Sequence, residues 1–221
     1  MTQELWSAVD QYVADTLLKS DDSLESAVKA SDEAGLPSIQ VSAPQGKFMY
    51  LLAKVHGARR ILEIGTLGGY STIWLARALP AGGTLVTMEI DPKHAEVAKA
   101  NLDRAGVGDK VEVLVGNARD LLPELERRNL APFDLTFIDA DKASIPFYFE
   151  SALRMSRKGS LILVDNVVRE GAVIQADSED ASVQGVRRLN EMLSANSSIE
   201  ATVLQTVGVK GYDGLAIALV N

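Results

Sequence analysis

The chain has 221 residues, 47% hydrophobic and 24% charged, the balance of an ordinary globular protein with room for one full hydrophobic core. With no cysteine it can carry no disulfide, no thiolate zinc site and no cysteine nucleophile. A formal net charge of −8 lacks the phosphate-neutralising footprint of most nucleic-acid binders, so no nucleic-acid partner is expected.

The N-terminal run MTQELWSAVDQYVADTL has no basic stretch leading into a long apolar one, and no apolar run is long enough to span a bilayer. The expectation is a cytoplasmic protein with no membrane partner. Leu5, Val9, Val13, Leu17, Leu24 and Val28 recur at helical spacing over residues 1–34, which reads as one or two amphipathic helices. Gly35-Leu36-Pro37-Ser38 breaks them, and a further helical pattern begins at Pro44. Residues 1–43 thus read as a helical cap and linker, and 44–221 as the core of the same single domain.

From residue 59 short apolar runs alternate with helical stretches. The runs are Ile61–Ile64, Thr84–Ile90, Val111–Val115, Leu135–Ile138 and Leu161–Val164; the helices lie near 71–79, 92–105, 118–128, 143–156 and 181–194. Near-continuous apolar strands separated by helices demand a parallel sheet covered on both faces. The tail reads as a hairpin, Ile199–Val207 and Leu215–Val220 around a Gly208–Gly214 turn. The predicted fold is α/β: a doubly wound, mostly parallel seven-stranded sheet with an antiparallel C-terminal hairpin strand.

Ligands of such sheets bind beyond the carboxyl ends of the strands, and four of those ends carry acids: Glu63, Glu89, Asp139 and Asp165. After the first strand, Gly65, Gly68 and Gly69 form a turn where a ligand can approach the backbone. It is neither G-x-G-x-x-G, because position 67 is Leu, nor a phosphate loop, because no Gly-Lys-Ser/Thr follows. Glu63 beside it suits a ligand with positive charge or many donors. Glu89 stands where α/β nucleoside binders place an acid for the ribose hydroxyls. Asp91 before Pro92 reads as a helix cap. Asp139, Asp165 and Asn166 end neighbouring strands as oxygen ligands, which select magnesium, calcium or manganese over zinc or copper. Any one of them is equally an ordinary turn residue; the conjunction is what suggests a metal. His56 and His94 sit at no strand end and are expected in surface or helix roles.

Glu63-Ile-Gly65-x-x-x-Gly69 with Glu89 resembles the cofactor motif of class I S-adenosylmethionine (SAM)-dependent methyltransferases. The run ILEIGTLGGYST with VSAPQGKF, FIDADK and VDN is similar to the catechol and caffeoyl-CoA O-methyltransferase branch, over roughly residues 35–221. The resemblance implies cofactor contacts from Val41 and Glu63 to the methionine part, from the Gly65-Thr66-to-Gly69 turn, and from Ser71 to the carboxylate end. It implies Glu89 on the ribose, Ala118 near the adenine, and Asp139, Asp141 and Tyr148 lining the cofactor. It further implies that Lys142 receives the hydroxyl proton beside Asp139, with a divalent cation, magnesium first, on Asp139, Asp165 and Asn166. The expected activity is methyl transfer from SAM to a hydroxyl of a small catechol-like or phenylpropanoid substrate, CoA ester included, by a homodimer. A SAM-binding protein without catalysis and a nucleic-acid methyltransferase are the alternatives.

Overall fold

Short polar residues start most of the helices. Asp21, Ser42, Asp91, Asn117 and Asp180 each accept first-turn amide N–H groups. The computed structural model describes residues 2–128 and 130–221. It contains α1 (Gln3–Leu17), α2 (Asp22–Glu33), α3 (Ala43–His56), β1 (Arg60–Ile64), α4 (Tyr70–Ala78), β2 (Thr84–Glu89), α5 (Pro92–Arg104), β3 (Val111–Val115) and α6 (Ala118–Arg127). Then follow β4 (Phe133–Ile138), α7 (Ile145–Arg154), β5 (Ser156–Asp165), α8 (Ala181–Ala195), β6 (Ile199–Gly208) and β7 (Gly211–Val220). No described helix is long and apolar enough to cross a membrane.

The seven strands form one sheet in the order β3-β2-β1-β4-β5-β7-β6. The first five are parallel, and β7 runs antiparallel to both neighbours. Successive strand residues face opposite sides. Leu62, Ile64 and Ile138 therefore pack under α6, α7 and α8 with Leu122, Phe149 and Val186. Ile61, Leu135 and Phe137 pack under α3, α4 and α5 with Met49, Trp74 and Leu102. Burial of each such side chain stabilises the fold by about 1.5–3 kcal/mol before entropy is counted.

Three expected boundaries move. The helix expected over 143–156 is a single 3-10 turn, Lys142–Ser144, followed by α7. The strand expected at Leu161 begins at Ser156, where Ser160 Oγ donates to the Phe133 carbonyl. Its first residues, Arg157 and Lys158, are exposed, so no apolar pattern announces them. The hairpin turn shrinks to Val209-Lys210, because ladder pairing carries β7 through the polar stretch from Gly211. There backbone hydrogen bonding overrides residue preference.

Two features bear on the carboxyl edge. The first is Gly185 on α8, where an added Cβ would lie 2.1 Å from the Lys142 carbonyl oxygen. The helix backbone thus rests on the turn that carries Lys142. The second is Glu63, fully buried at the end of β1. Ser71 Oγ donates to its Oε1 at 2.7 Å, and Thr72 Oγ1 and Thr87 Oγ1 donate to Oε2 at 2.5 and 2.7 Å. Burial pushes Glu63 up from 4.5 to about 7; the three hydroxyls oppose the rise and the charge of Asp139 adds to it.

Gly185→Ala should cost about 1–3 kcal/mol in urea unfolding, because backbone rather than a mobile side chain must yield. A variant as stable as the parent would show that the α8 contact has slack. For Glu63 the folded state holds its proton more tightly than the unfolded chain. The residue therefore costs nothing below about pH 4.5 and increasingly more as pH rises to about 7, after which the cost is constant. Glu63→Gln cannot ionise, so its stability relative to the parent should rise by up to about 3 kcal/mol between about pH 4.5 and about pH 7.5. A difference independent of pH would mean that Glu63 titrates as an exposed acid does.

Candidate active site

A cavity of about 840 Å³ opens at the carboxyl edge of the sheet, where strand order reverses between β1 and β4. Val41, Gly65, Thr66, Ser71, Glu89, Ala118, Asp139, Asp141, Lys142, Tyr148 and Asn166 all line it. The segment between α2 and α3 closes one side with Pro37, Ile39 and Gln40. Three expected site residues stand behind the wall. Glu63 lies beneath Ser71, Gly69 forms the cap of α4 with φ 82°, and Asp165 is 6% exposed.

Gly65 explains why β1 and β4 meet so closely. Its φ is 101°, and a Cβ there would sit 2.0 Å from the Asp139 carbonyl oxygen. Only glycine permits both the backbone angle and the approach. The turn is held from the other side by Glu89. Glu89 Oε2 accepts the Thr66 and Leu67 amides at 3.2 and 2.7 Å, and Oε1 accepts the Asp91 amide at 3.0 Å. A carboxylate has about four acceptor positions, so one near Oε1 remains for a ligand hydroxyl.

His94, expected in a surface or helix role, does lie in the first turn of α5, and it also lines the cavity with Nδ1 3.6 Å from Glu89 Oε1. The Asp91-Pro92 start of α5 contained the signal: a residue in the first turn points back toward the end of β2. Ile90, Asn117 and Arg119 also line the cavity and were not anticipated. Ile90 is 67% exposed, a free apolar surface next to Glu89. On the far wall Tyr148 donates to Asp141 Oδ1 at 2.5 Å and the Ser144 amide to Oδ2 at 3.0 Å. Burial opposes ionisation of Asp141, but the Ser144 and Tyr148 hydrogen bonds hold it below the usual carboxylate range. Burial and the Asp141 carboxylate together push Tyr148 up to about 12.

The reactive corner forms where β4 and β5 end. Ile138 pairs with Val164, so Asp139 and Asp165 follow side by side. Lys142 Nζ donates to Asp139 Oδ1 at 2.7 Å, and the lysine side chain is only 10% exposed. Burial, then the charge of Asp139, pushes Asp165 up to about 7, against the pull of Lys142 and of hydrogen bonds from the Asn166 amide and Gln45. Asn166 lines the cavity with φ 58°. After it the chain turns through two more non-glycine residues at positive φ, Arg169 and Glu170. Asp213 on β7 holds this segment: its Oδ1 accepts the Val168 and Arg169 amides, both at 2.9 Å. Among the described residues no three acidic, histidine or cysteine side chains are grouped so that they could hold a metal ion by themselves. A cation at this corner would therefore rest on two carboxylates and the Asn166 amide. That hard-oxygen set fits magnesium, calcium or manganese. Two neighbouring carboxylates facing one ammonium leave negative charge for it to neutralise. The acidic residues Glu170, Asp177, Glu179 and Asp180 do not line the cavity.

A family model described as O-methyltransferase matches residues 15–219. A catechol O-methyltransferase of Niastella koreensis is 52% identical over 221 residues, covering 100% of both chains. An O-methyltransferase from Bacillus cereus, solved in complex with SAH, matches with a TM-score of 0.99 at 53% identity, covering 100% of both chains. The O-methyltransferase TomG from Streptomyces achromogenes, solved with SAM, matches with a TM-score of 0.97 at 55% identity, covering 100% of this chain and 99% of that one. With Gly65, Glu89, Asp139 and Lys142 lining one cavity, this chain belongs to the O-methyltransferase family and is a SAM-dependent O-methyltransferase.

Proposed function

We propose that the chain methylates one of two neighbouring hydroxyls on a small catechol-like molecule, using a divalent cation at the Asp139–Asp165–Asn166 corner, magnesium in the first place. The observation that carries this reading is Asp139 and the nearly enclosed Lys142 lining a cavity large enough for SAM, with the buried Asp165 carboxylate directly behind them. The similarity to the catechol O-methyltransferase of Niastella koreensis supports the catechol class.

The residues divide the work. Ser71 Oγ is committed as a donor to Glu63, so its lone pairs face the cavity as acceptors and suit the ammonium of the methionine part. The first-turn amides of α4, Ser71's own among them, are left for its carboxylate. Val41 and the Gly65-Thr66 backbone flank the same end of the cavity. Glu89 Oε1 takes a ribose hydroxyl, with Ile90 and Ala118 offering apolar and backbone surface to the adenine, and Asp141 with Tyr148 closing the wall. Lys142, once its ammonium has released a proton to solvent, accepts the proton of the attacking hydroxyl at the neutral Nζ amine. The new O–CH3 bond forms as the S–CH3 bond of the sulfonium breaks, and Asp139 keeps the resulting ammonium in place. When bound, the cation supplies acidification of the hydroxyl and charge stabilisation of the oxyanion. Most of the remaining rate comes from holding two reactants in line.

We also read the exposed apolar residues of α1, namely Leu5, Val9, Tyr12 and Leu17, as the contact face of a homodimer, since no side chain of that helix is fully buried within the chain. Light scattering should give twice the chain mass, and a monomer at micromolar concentration would remove this part of the reading.

Activity on catechol should disappear in EDTA and return with magnesium, and Lys142→Met should lower kcat by at least about 100-fold while SAM binding persists. Undiminished turnover in chelator would end the metal reading; near-normal turnover of Lys142→Met would end the role of the lysine.

A further inference from the structure

The start of α3 breaks a local rule. Ser42-Ala43-Pro44-Gln45 has the Ser-x-x-Gln pattern of a capping box, in which the serine hydroxyl receives the glutamine amide and the glutamine side chain turns back to the serine backbone. The first half is formed: Ser42 Oγ accepts the Gln45 N–H at 3.3 Å. Among the described residues the second half is not. The Gln45 side chain instead crosses to β5, where Nε2 donates to Asp165 Oδ2 at 2.8 Å. A carboxylate only accepts, so the amide nitrogen must be the end that faces it.

The partner is the least exposed member of the acidic corner. Asp165 Oδ1 accepts the amide of Asn166 at 2.9 Å, and Oδ2 accepts Gln45. One bond comes from the backbone of its own turn and the other from a different layer of the fold. Together they fix the plane of the carboxylate, since rotation about its last side-chain bond would break both. Lys142, the nearby cation, is bonded to Asp139 instead.

We infer that Gln45 is a positioning residue for the divalent cation: it holds one oxygen of Asp165 from outside and leaves the free lone pairs of that carboxylate aimed for coordination. The inference rests on the metal reading above. Residues that orient a ligand in this way commonly change metal affinity by about 10- to 100-fold. Gln45 also borders a small hollow of about 250 Å³ with Phe48, Leu204 and Leu215, so an uncharged side chain of equal length fits there without displacing α3.

The test is calorimetric titration of the full chain with manganese, and separately with SAH, for the parent and for Gln45→Met, Gln45→Ala and Ser42→Ala. Gln45→Met keeps length and loses the donor; Gln45→Ala is a shorter control well suited to a helix. Both should bind manganese about 10- to 100-fold more weakly while SAH affinity stays within about twofold. Ser42→Ala removes the cap and leaves the Asp165 bond, so it should lower the Tm and leave manganese affinity unchanged. Parental manganese affinity in both Gln45 variants overturns the inference. So does an equal loss in Ser42→Ala, which would assign the effect to the start of α3. A parent chain that binds SAH but no manganese overturns the metal reading itself, and Gln45 with it.

Discussion

In-register pairing of β1, β4 and β5 is the constraint on which the site depends. Ile64 lies beside Ile138, and Ile138 beside Val164. The residue that follows each of these three is thereby delivered to the same edge: Gly65, Asp139 and Asp165. A slip of one residue would turn every side chain of a strand to the other face and break this alignment. The slip is prevented because both faces are packed, with Ile61 and Phe137 on one side and Leu62 and Ile138 on the other. Gly65 then lets β1 come within touching distance of the Asp139 carbonyl.

The edge collects acids, and each is satisfied differently. Glu63 is enclosed by three hydroxyls, Glu89 by three backbone amides, and Asp141 by a tyrosine and an amide. Such charged or partly charged groups are tolerable in an apolar surrounding only with partners of this kind. The Asp139–Asp165 pair differs. Its partners are one lysine, one glutamine and a backbone amide, and Asp165 remains pushed up toward neutrality. The corner therefore stands out electrostatically from the rest of the edge, where hydrogen bonds within the chain complete the set.

The C-terminal hairpin contributes more than an edge. β7 pairs with β5 up to Asp165 and then supplies Asp213, which anchors the strained segment after Asn166. Residues held at positive φ persist only where surrounding contacts determine them. The antiparallel strand thus steadies the loop beside the reactive corner, a task no parallel strand of the sheet is placed to perform.

Much was legible in the order of residues. Alternating apolar runs and helical stretches specify a doubly wound sheet, because local periodicity reflects which face is buried. Gly65, Glu89 and Asp139 declared themselves by standing at strand ends, Lys142 only through the family resemblance, and all four line the cavity. The boundaries that moved, at Ser156 and Gly211, belong to segments whose pairing depends on a neighbouring strand rather than on their own composition. The tertiary structure alone decided that Glu63 lies behind Ser71, that His94 turns toward Glu89, and that Gln45 leaves its helix cap for Asp165. Each of these pairs residues from separate elements, and a distance between side chains from different layers has no trace in local pattern.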